Sequence, residues 1–179
     1  MALLMSMARN IPAADRSMRE GRWDRKKFTG TELFGKTIGV IGLGKIGATV
    51  AQRAGAMGMK ILAHDPFAST ELASRIGATL VPVKTLLKES DYITVHVPKG
   101  PSTYHFIGEK EFKIMKQGVR IINVARGGIV DEEALVKAIN SGKVAQAALD
   151  VFEKEPLPAE NILASNANII LTPHLGAST

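Results

Sequence analysis

A Gly42-Leu43-Gly44-Lys45-Ile46-Gly47 hexapeptide lies between a short β-branched run, Thr37–Ile41, and a stretch carrying Ile46, Val50, Ala54 and Met57 at helical spacing. No other feature narrows the fold as much. Glycines at the first, third and sixth places of a strand-to-helix turn allow the tight turn, close approach of backbone to a phosphate, and close packing of helix on sheet. The helix that begins there offers N–H groups without intrahelical acceptors, which suit a pyrophosphate. An acid follows at the end of the next apolar run. Asp65 stands 23 residues after Gly42, near the distance of about 20 expected for a ribose-binding carboxylate. Such a group accepts from both ribose hydroxyls of NAD and repels the 2′-phosphate of NADP. No Arg stands at 66–68 to receive that phosphate. Gly42, Gly44, Gly47 and Asp65 therefore point to an NAD site.

From residue 37 onward strand-like and helix-like stretches alternate. Strands are expected at Thr37–Ile41, Lys60–His64, Thr79–Val81, Tyr92–Val97, Val119–Val124, Ala145–Leu149 and Asn168–Leu171. Helices are expected at Ile46–Met57, Ser69–Ile76 with Ser69 as cap, Val83–Glu89, Glu109–Met115 and Asp131–Asn140. The last has acids in its first turn, as the helix dipole prefers. This alternation predicts an α/β fold, a doubly wound parallel sheet of about seven strands with helices on both faces. Residues 37–179 would form that domain, and 1–36 an N-terminal helix and arm packed on it. Leu3, Leu4 and Met7 fall at helical spacing with almost nothing before them. Ser178-Thr179 would cap a helix that does not follow. The sequence thus reads as a fragment, or an isolated domain, of a longer protein.

Composition removes several classes. At 45% hydrophobic residues the 179-residue chain can bury a core. Without cysteine it has no disulfide, no thiolate nucleophile and no Cys-based zinc site. Its apolar runs are too short for a membrane span. The apolar start lacks a basic n-region, and Arg9 stands where a cleavage site would belong, so no signal peptide is expected. A soluble cytoplasmic protein is the default. Eight of the 23 Lys/Arg, against four of the 17 Asp/Glu, fall in residues 1–36, densest at Arg22–Lys27. No RNA-binding or helix-turn-helix pattern accompanies them, so the excess reads as a solvated loop or a rim around a partner rather than a nucleic-acid site.

Ionisable residues past the ends of strands are the catalytic candidates. Arg126, in Asn123-Val-Ala-Arg-Gly-Gly128, could hold a carboxylate bidentately, with Gly127 and Gly128 leaving room for substrate. His174, in Leu171-Thr-Pro-His-Leu-Gly-Ala-Ser-Thr179, could exchange a proton with an alcohol while hydride leaves it. A histidine in that role needs an orienting acid. Glu155, Glu153 and Asp150 all qualify, and spacing does not choose among them. His96 reads as a structural or cofactor-lining residue. His64 and His105 have no supporting context. No metal-ligand spacing and no nucleophile elbow are present, and no metal is expected.

These motifs together resemble the nucleotide-binding domain of the D-2-hydroxyacid dehydrogenase family over nearly the whole chain. The carriers are Gly42–Gly47, His64-Asp-Pro66, Val95-His-Val-Pro98, Asn123–Glu132, Ala148-Leu-Asp-Val-Phe152, Glu155-Pro156 and Pro173–Thr179. The resemblance implies a Rossmann fold binding NAD, in which Arg126 binds the substrate carboxylate, Glu155 supports the histidine and His174 is the acid/base. It settles the three acids in favour of Glu155. It places Lys45 and Ile46 at the pyrophosphate and Asp65 at the ribose. Asp150 falls near the nicotinamide, and His96, Val97, Pro98, Val124, Ala125, Arg126, His174, Gly176 and Ala177 line the cofactor. The ending after His174 favours a phosphorylated 2-hydroxy acid as substrate. A sister glyoxylate or hydroxypyruvate reductase, or an NAD-sensing corepressor, are the rival readings. The loop Lys99–Phe106 departs from the family's threonine-rich pattern. The family's substrate domain is absent from this chain, so the isolated chain is expected to be inactive. The segment around Trp23 resembles an arm used for homodimers, with a tetramer open to the full protein.

Overall fold

The computed structural model describes residues 1–178. Seven strands form one parallel sheet: β1 (Thr37–Ile41), β2 (Lys60–His64), β3 (Ala78–Leu80), β4 (Tyr92–Val95), β5 (Val119–Asn123), β6 (Val144–Leu149) and β7 (Ile169–Leu171). Their order is β3-β2-β1-β4-β5-β6-β7. The chain winds outward from β1 to β3, then returns to start again at β4 beside β1. That reversal opens a crevice at the carboxyl ends of β1 and β4, where open α/β sheets bind ligands. Central strands buried on both faces read as continuous apolar runs, and β4 is buried at all four positions.

Helices cover both faces. On one, α5 (Val83–Glu89), α6 (Glu109–Ile114) and α7 (Glu132–Asn140) close a core containing Leu86, Phe112, Leu135 and Ile139. On the other, α3 (Lys45–Ala56) packs through Ala51 and Ala54 beside α1 (Ala2–Ala8). The α1 helix supplies Leu4 and Met7, each at most 2% exposed. Two such side chains hold this first helix on the sheet with about 1.5–3 kcal/mol each. The short α4 (Thr70–Arg75) starts at Ser69, whose hydroxyl accepts from the Leu72 N–H at 3.1 Å.

Several boundaries differ from the sequence reading, most of them by one residue, and one helix was not expected. A second N-terminal helix, α2 (Ile11–Arg19), follows a left-handed residue, Asn10 (φ 54°). It buries only Ser17, leaves its apolar residues Ile11 and Met18 exposed, and carries an Asp15–Arg19 pair at 2.9 Å on its polar side. The β4 strand stops at Val95 instead of running to Val97, and β5 at Asn123 instead of Val124. At Asn123 the cause is local: its Oδ1 accepts from the Ala125 N–H (3.1 Å) and its Nδ2 donates to the Arg126 carbonyl (2.9 Å). A buried side chain thereby replaces the ladder and folds the chain into a turn. Among the described residues no helix is long and apolar enough to cross a membrane.

Candidate active site

The glycine turn sits at the crevice. Gly42 has φ +93°, and a Cβ there would lie 2.6 Å from the His96 carbonyl oxygen and 2.9 Å from Val97 Cγ1. This crowding brings the end of β4 against the turn. At Gly47 a Cβ would fall 1.9 Å from the Gly42 carbonyl oxygen, so α3 can begin this close only with glycine. Gly44, in contrast, faces open space. It is the N-cap of α3 and no side chain caps the helix. Lys45 and Ile46 are exposed beside it. The first turn of α3 thus presents backbone donors outward.

Asp65 closes the other side of the turn. Its Oδ2 accepts from the Leu43 N–H at 2.7 Å and its Oδ1 from the Phe67 N–H at 2.8 Å. A carboxylate has about four acceptor positions, so lone pairs remain for two ribose hydroxyls. These residues fit a dinucleotide: uncapped N–H groups for the phosphates, an open glycine edge and a pinned acid.

His96 behaves differently. Its Nε2 lies 2.9 Å from the Thr94 hydroxyl, and burial pushes its pKa down to about 4. Burial thus favours the neutral ring, with one nitrogen as donor and the other as acceptor.

The second group of residues lies beyond β5, β6 and β7. Val124 and Ala125 lead to Arg126, which is exposed, donates from Nη1 to the Ala125 carbonyl at 2.7 Å, and makes no ion pair among the described residues. Gly127 and Gly128 do not serve to make room for substrate, as the sequence suggested. A Cβ on Gly127 would lie 1.6 Å from the Phe152 carbonyl oxygen, and Gly128 has φ +79° with the Tyr104 ring 3.2 Å from where its Cβ would be. The glycines let the segments after β5 and β6 touch.

Spacing left three acids open, and the structure gives each a different partner. Glu155 Oε2 meets His174 Nδ1 at 2.9 Å, while its Oε1 accepts from the Phe152 N–H at 3.0 Å. The hydrogen bond from His174 holds the Glu155 carboxyl below its ordinary range, with the Phe152 N–H adding to the effect. An ionised carboxylate only accepts. Nδ1 therefore carries the proton and Nε2 is left as the free nitrogen of the ring. Glu153 meets His105 Nε2 at 2.9 Å.

Asp150 is 2% exposed and takes three donors: the Thr172 hydroxyl (2.5 Å), the Leu175 N–H (2.8 Å) and the Gly176 N–H (2.7 Å). It ties the loop carrying His174, Gly176 and Ala177 to the end of β6. His174 itself adopts φ 55°, a conformation uncommon for a residue with a side chain. A groove of about 640 Å³, walled by Phe152, Leu157, Leu171 and Pro173, opens beside the Glu155–His174 pair. Thr179, the last residue of the motif, lies outside the described residues.

Three residues with defined work here carried no role in the sequence reading. Asn123 shapes the Arg126 turn, Thr172 donates to Asp150, and His105 joins two acidic segments. Asn123 and Thr172 stand inside or next to recognisable motifs, which is a signal of sorts. His105 offered none.

Comparison with known proteins bears on all of this. Residues 1–176 match the model of the family described as D-isomer specific 2-hydroxyacid dehydrogenase, NAD binding domain. The chain is 57% identical over 178 residues to a D-3-phosphoglycerate dehydrogenase of Archaeoglobus fulgidus, covering 99% of this chain and 34% of that protein. It superposes with a TM-score of 0.91 on a glyoxylate reductase from Paecilomyes thermophila, at 42% identity, over 99% of this chain and 53% of that one. For a D-lactate dehydrogenase from Aquifex aeolicus, solved with NAD and lactic acid, the TM-score is 0.90 at 34% identity, over 99% and 58% of the two chains. The chain spans about a third of the length of the curated relatives it matches. It belongs to the D-isomer specific 2-hydroxyacid dehydrogenase family, of which it is the NAD-binding domain.

Proposed function

We propose that this chain is the NAD-binding and proton-transferring part of a D-3-phosphoglycerate dehydrogenase, which interconverts 3-phospho-D-glycerate and 3-phosphonooxypyruvate at the entry to serine synthesis. The observation that carries the reading is the Glu155–His174 contact at 2.9 Å, past the last strands of a sheet whose first turn fits a dinucleotide. Bound NAD supplies the acceptor for hydride. Gly44, Lys45, Ile46 and Gly47 hold its pyrophosphate, and Asp65 its adenosine ribose. His96, Val97 and Pro98 line it from the end of β4, and Val124, Ala125, Asp150, Gly176 and Ala177 from the ends of β5, β6 and β7. Arg126, without a carboxylate partner of its own among the described residues, takes the carboxylate of the substrate in a bidentate pair. His174 Nε2 removes the proton from the 2-hydroxyl as hydride leaves the same carbon, and returns it in the reverse direction. Glu155 fixes the tautomer and stabilises the charged ring.

The identity of 57% to a D-3-phosphoglycerate dehydrogenase supports that substrate. A second reading, a glyoxylate or hydroxypyruvate reductase, has the 42% identical glyoxylate reductase structure in its favour. A substrate panel on the natural full-length protein separates them. We expect kcat/KM for 3-phosphoglycerate, with NAD, to exceed that for D-glycerate and D-lactate. Preference for glyoxylate or hydroxypyruvate, with no turnover of the phosphorylated acid, would select the reductase. The isolated chain is expected to turn over little, since catalysis needs the substrate held in hydride reach. We read residues 1–36 as an arm that serves a homodimer. The exposure of Trp23 (78%) and Phe34 (74%) supports this. A cytoplasmic setting accompanies this reading.

A further inference from the structure

His105 lies outside every motif of the site, yet it joins three of its segments. It sits in the loop between β4 and α6 in a left-handed conformation (φ 48°). Its Nε2 is 2.9 Å from Glu153 Oε1, and its Nδ1 is 3.4 Å from Asp131 Oδ2. Its backbone N–H donates to the Gly128 carbonyl at 2.7 Å. The Tyr104 ring stacks on it, with centroids 4.0 Å apart, and lies against Gly128. Asp131 is the N-cap of α7 and follows the Arg126 turn. Glu153 is two residues from Glu155, and its backbone N–H donates to Glu132 Oε1 at 2.7 Å. Carboxylates of Asp131, Glu132, Glu133, Glu153 and Glu160 line the cleft around the imidazole, which is its one basic side chain. The ring hydrogen-bonds Glu153 and, when it carries charge, forms an ion pair with Asp131 as well.

We infer that His105 is a positioning residue for the dehydrogenase reaction: acting through Glu153, it fixes the segment that carries Glu155 against the Arg126 turn. The inference rests on the roles proposed above for Glu155, His174 and Arg126. The chain of contacts is continuous. His105 holds Glu153; Phe152, next to Glu153, donates its N–H to Glu155 Oε1; Glu155 Oε2 meets His174 Nδ1. The Phe152 carbonyl rests on Gly127. Removing His105 leaves Asp131 and Glu153 as facing acids, and the Glu155 segment loses one of its two ties to the α7 end.

The test uses the natural full-length protein, reading hydride transfer in a single turnover together with NADH affinity and the KM of the 2-hydroxy acid. H105Q and E153Q are each expected to slow hydride transfer roughly tenfold, with KM and NADH affinity changed by less than about twofold, as for a misplaced but intact group. The double variant is expected to be no slower than either single one. The His174 imidazole resonance, followed against pH, should move in both single variants. Unchanged hydride transfer in both, or multiplying losses in the double variant, would overturn the inference. So would losses that appear only as weaker NADH or substrate binding. If H105Q does not fold, E153Q decides. If the unmodified protein transfers hydride from no 2-hydroxy acid, the proposed function fails and this inference with it.

Discussion

Replacing His174 with asparagine is expected to lower turnover of the natural full-length enzyme by about 10²–10⁴-fold, the usual contribution of a positioned acid/base. The amide nitrogen of asparagine can stand near Nδ1 and keep a donor to Glu155 Oε2, now met at 2.9 Å. What it lacks is a basic nitrogen in the place of Nε2. The loop should stay in position, because its main anchors are the three bonds to Asp150. NADH affinity measured beside kcat checks this: the loss belongs in kcat. A variant that kept near-normal kcat would remove His174 from the chemistry. The pH response has a definite sign. Hydrogen bonding from His174 lowers the Glu155 pKa. A group depressed on folding contributes its stabilisation above its unfolded pKa and loses it as pH falls through the folded value. The pair is therefore complete at neutral pH and fails only on the acid side of the ordinary carboxylate range.

The second large effect is expected at Gly47. Alanine there sets a Cβ 1.9 Å from the Gly42 carbonyl oxygen, with His96 Cβ at 3.3 Å behind it. The obstacle is backbone, so no rotamer relieves it. The turn must open, or the first turn of α3 must swing outward. Overpacking of this kind costs about 1–3 kcal/mol, and a domain of this size loses about 2–4 °C in Tm for each kcal/mol. Moving the helix start also displaces the N–H groups offered to the phosphates. A misfit of 1.4 kcal/mol at that point lowers NADH affinity about tenfold. G44A is the control: a Cβ at Gly44 meets nothing within 4 Å, so the fold should hold. G47A binding NADH like the unmodified chain would mean that the helix terminus is not where the phosphates sit.

Much of this was legible in the sequence, for a physical reason. Parallel strands buried on both faces are short apolar runs, and most are followed closely by a Gly, Pro or Asp, whereas β5 is ended by the Asn123 side chain. The runs at 37–41 and 60–64 coincide with β1 and β2 residue for residue. The α2 helix was not read from the sequence: it is short, and its apolar residues Ile11 and Met18 stay exposed instead of packing into the core. The choice among Glu155, Glu153 and Asp150 was not legible from spacing either. All three lie within six residues, and their partners come from segments 19 to 48 residues away. Which acid meets which histidine depends on how loops from β4, β6 and β7 converge. Resemblance to a family pointed to Glu155, and the structure puts Glu155 beside His174. For His105 neither route gave a signal, since its partners, Asp131 and Glu153, are brought to it only by the sheet.

The measurement that tests the account most directly is a fluorescence titration of this chain with NADH, with NADPH in parallel and D65A as control. The account predicts saturable NADH binding, weaker binding of NADPH because Asp65 faces the added phosphate, and weaker NADH binding in D65A, where the ribose and the Leu43 N–H lose their acceptor. A folded chain that binds neither nucleotide, or binds both alike with no change in D65A, would contradict it.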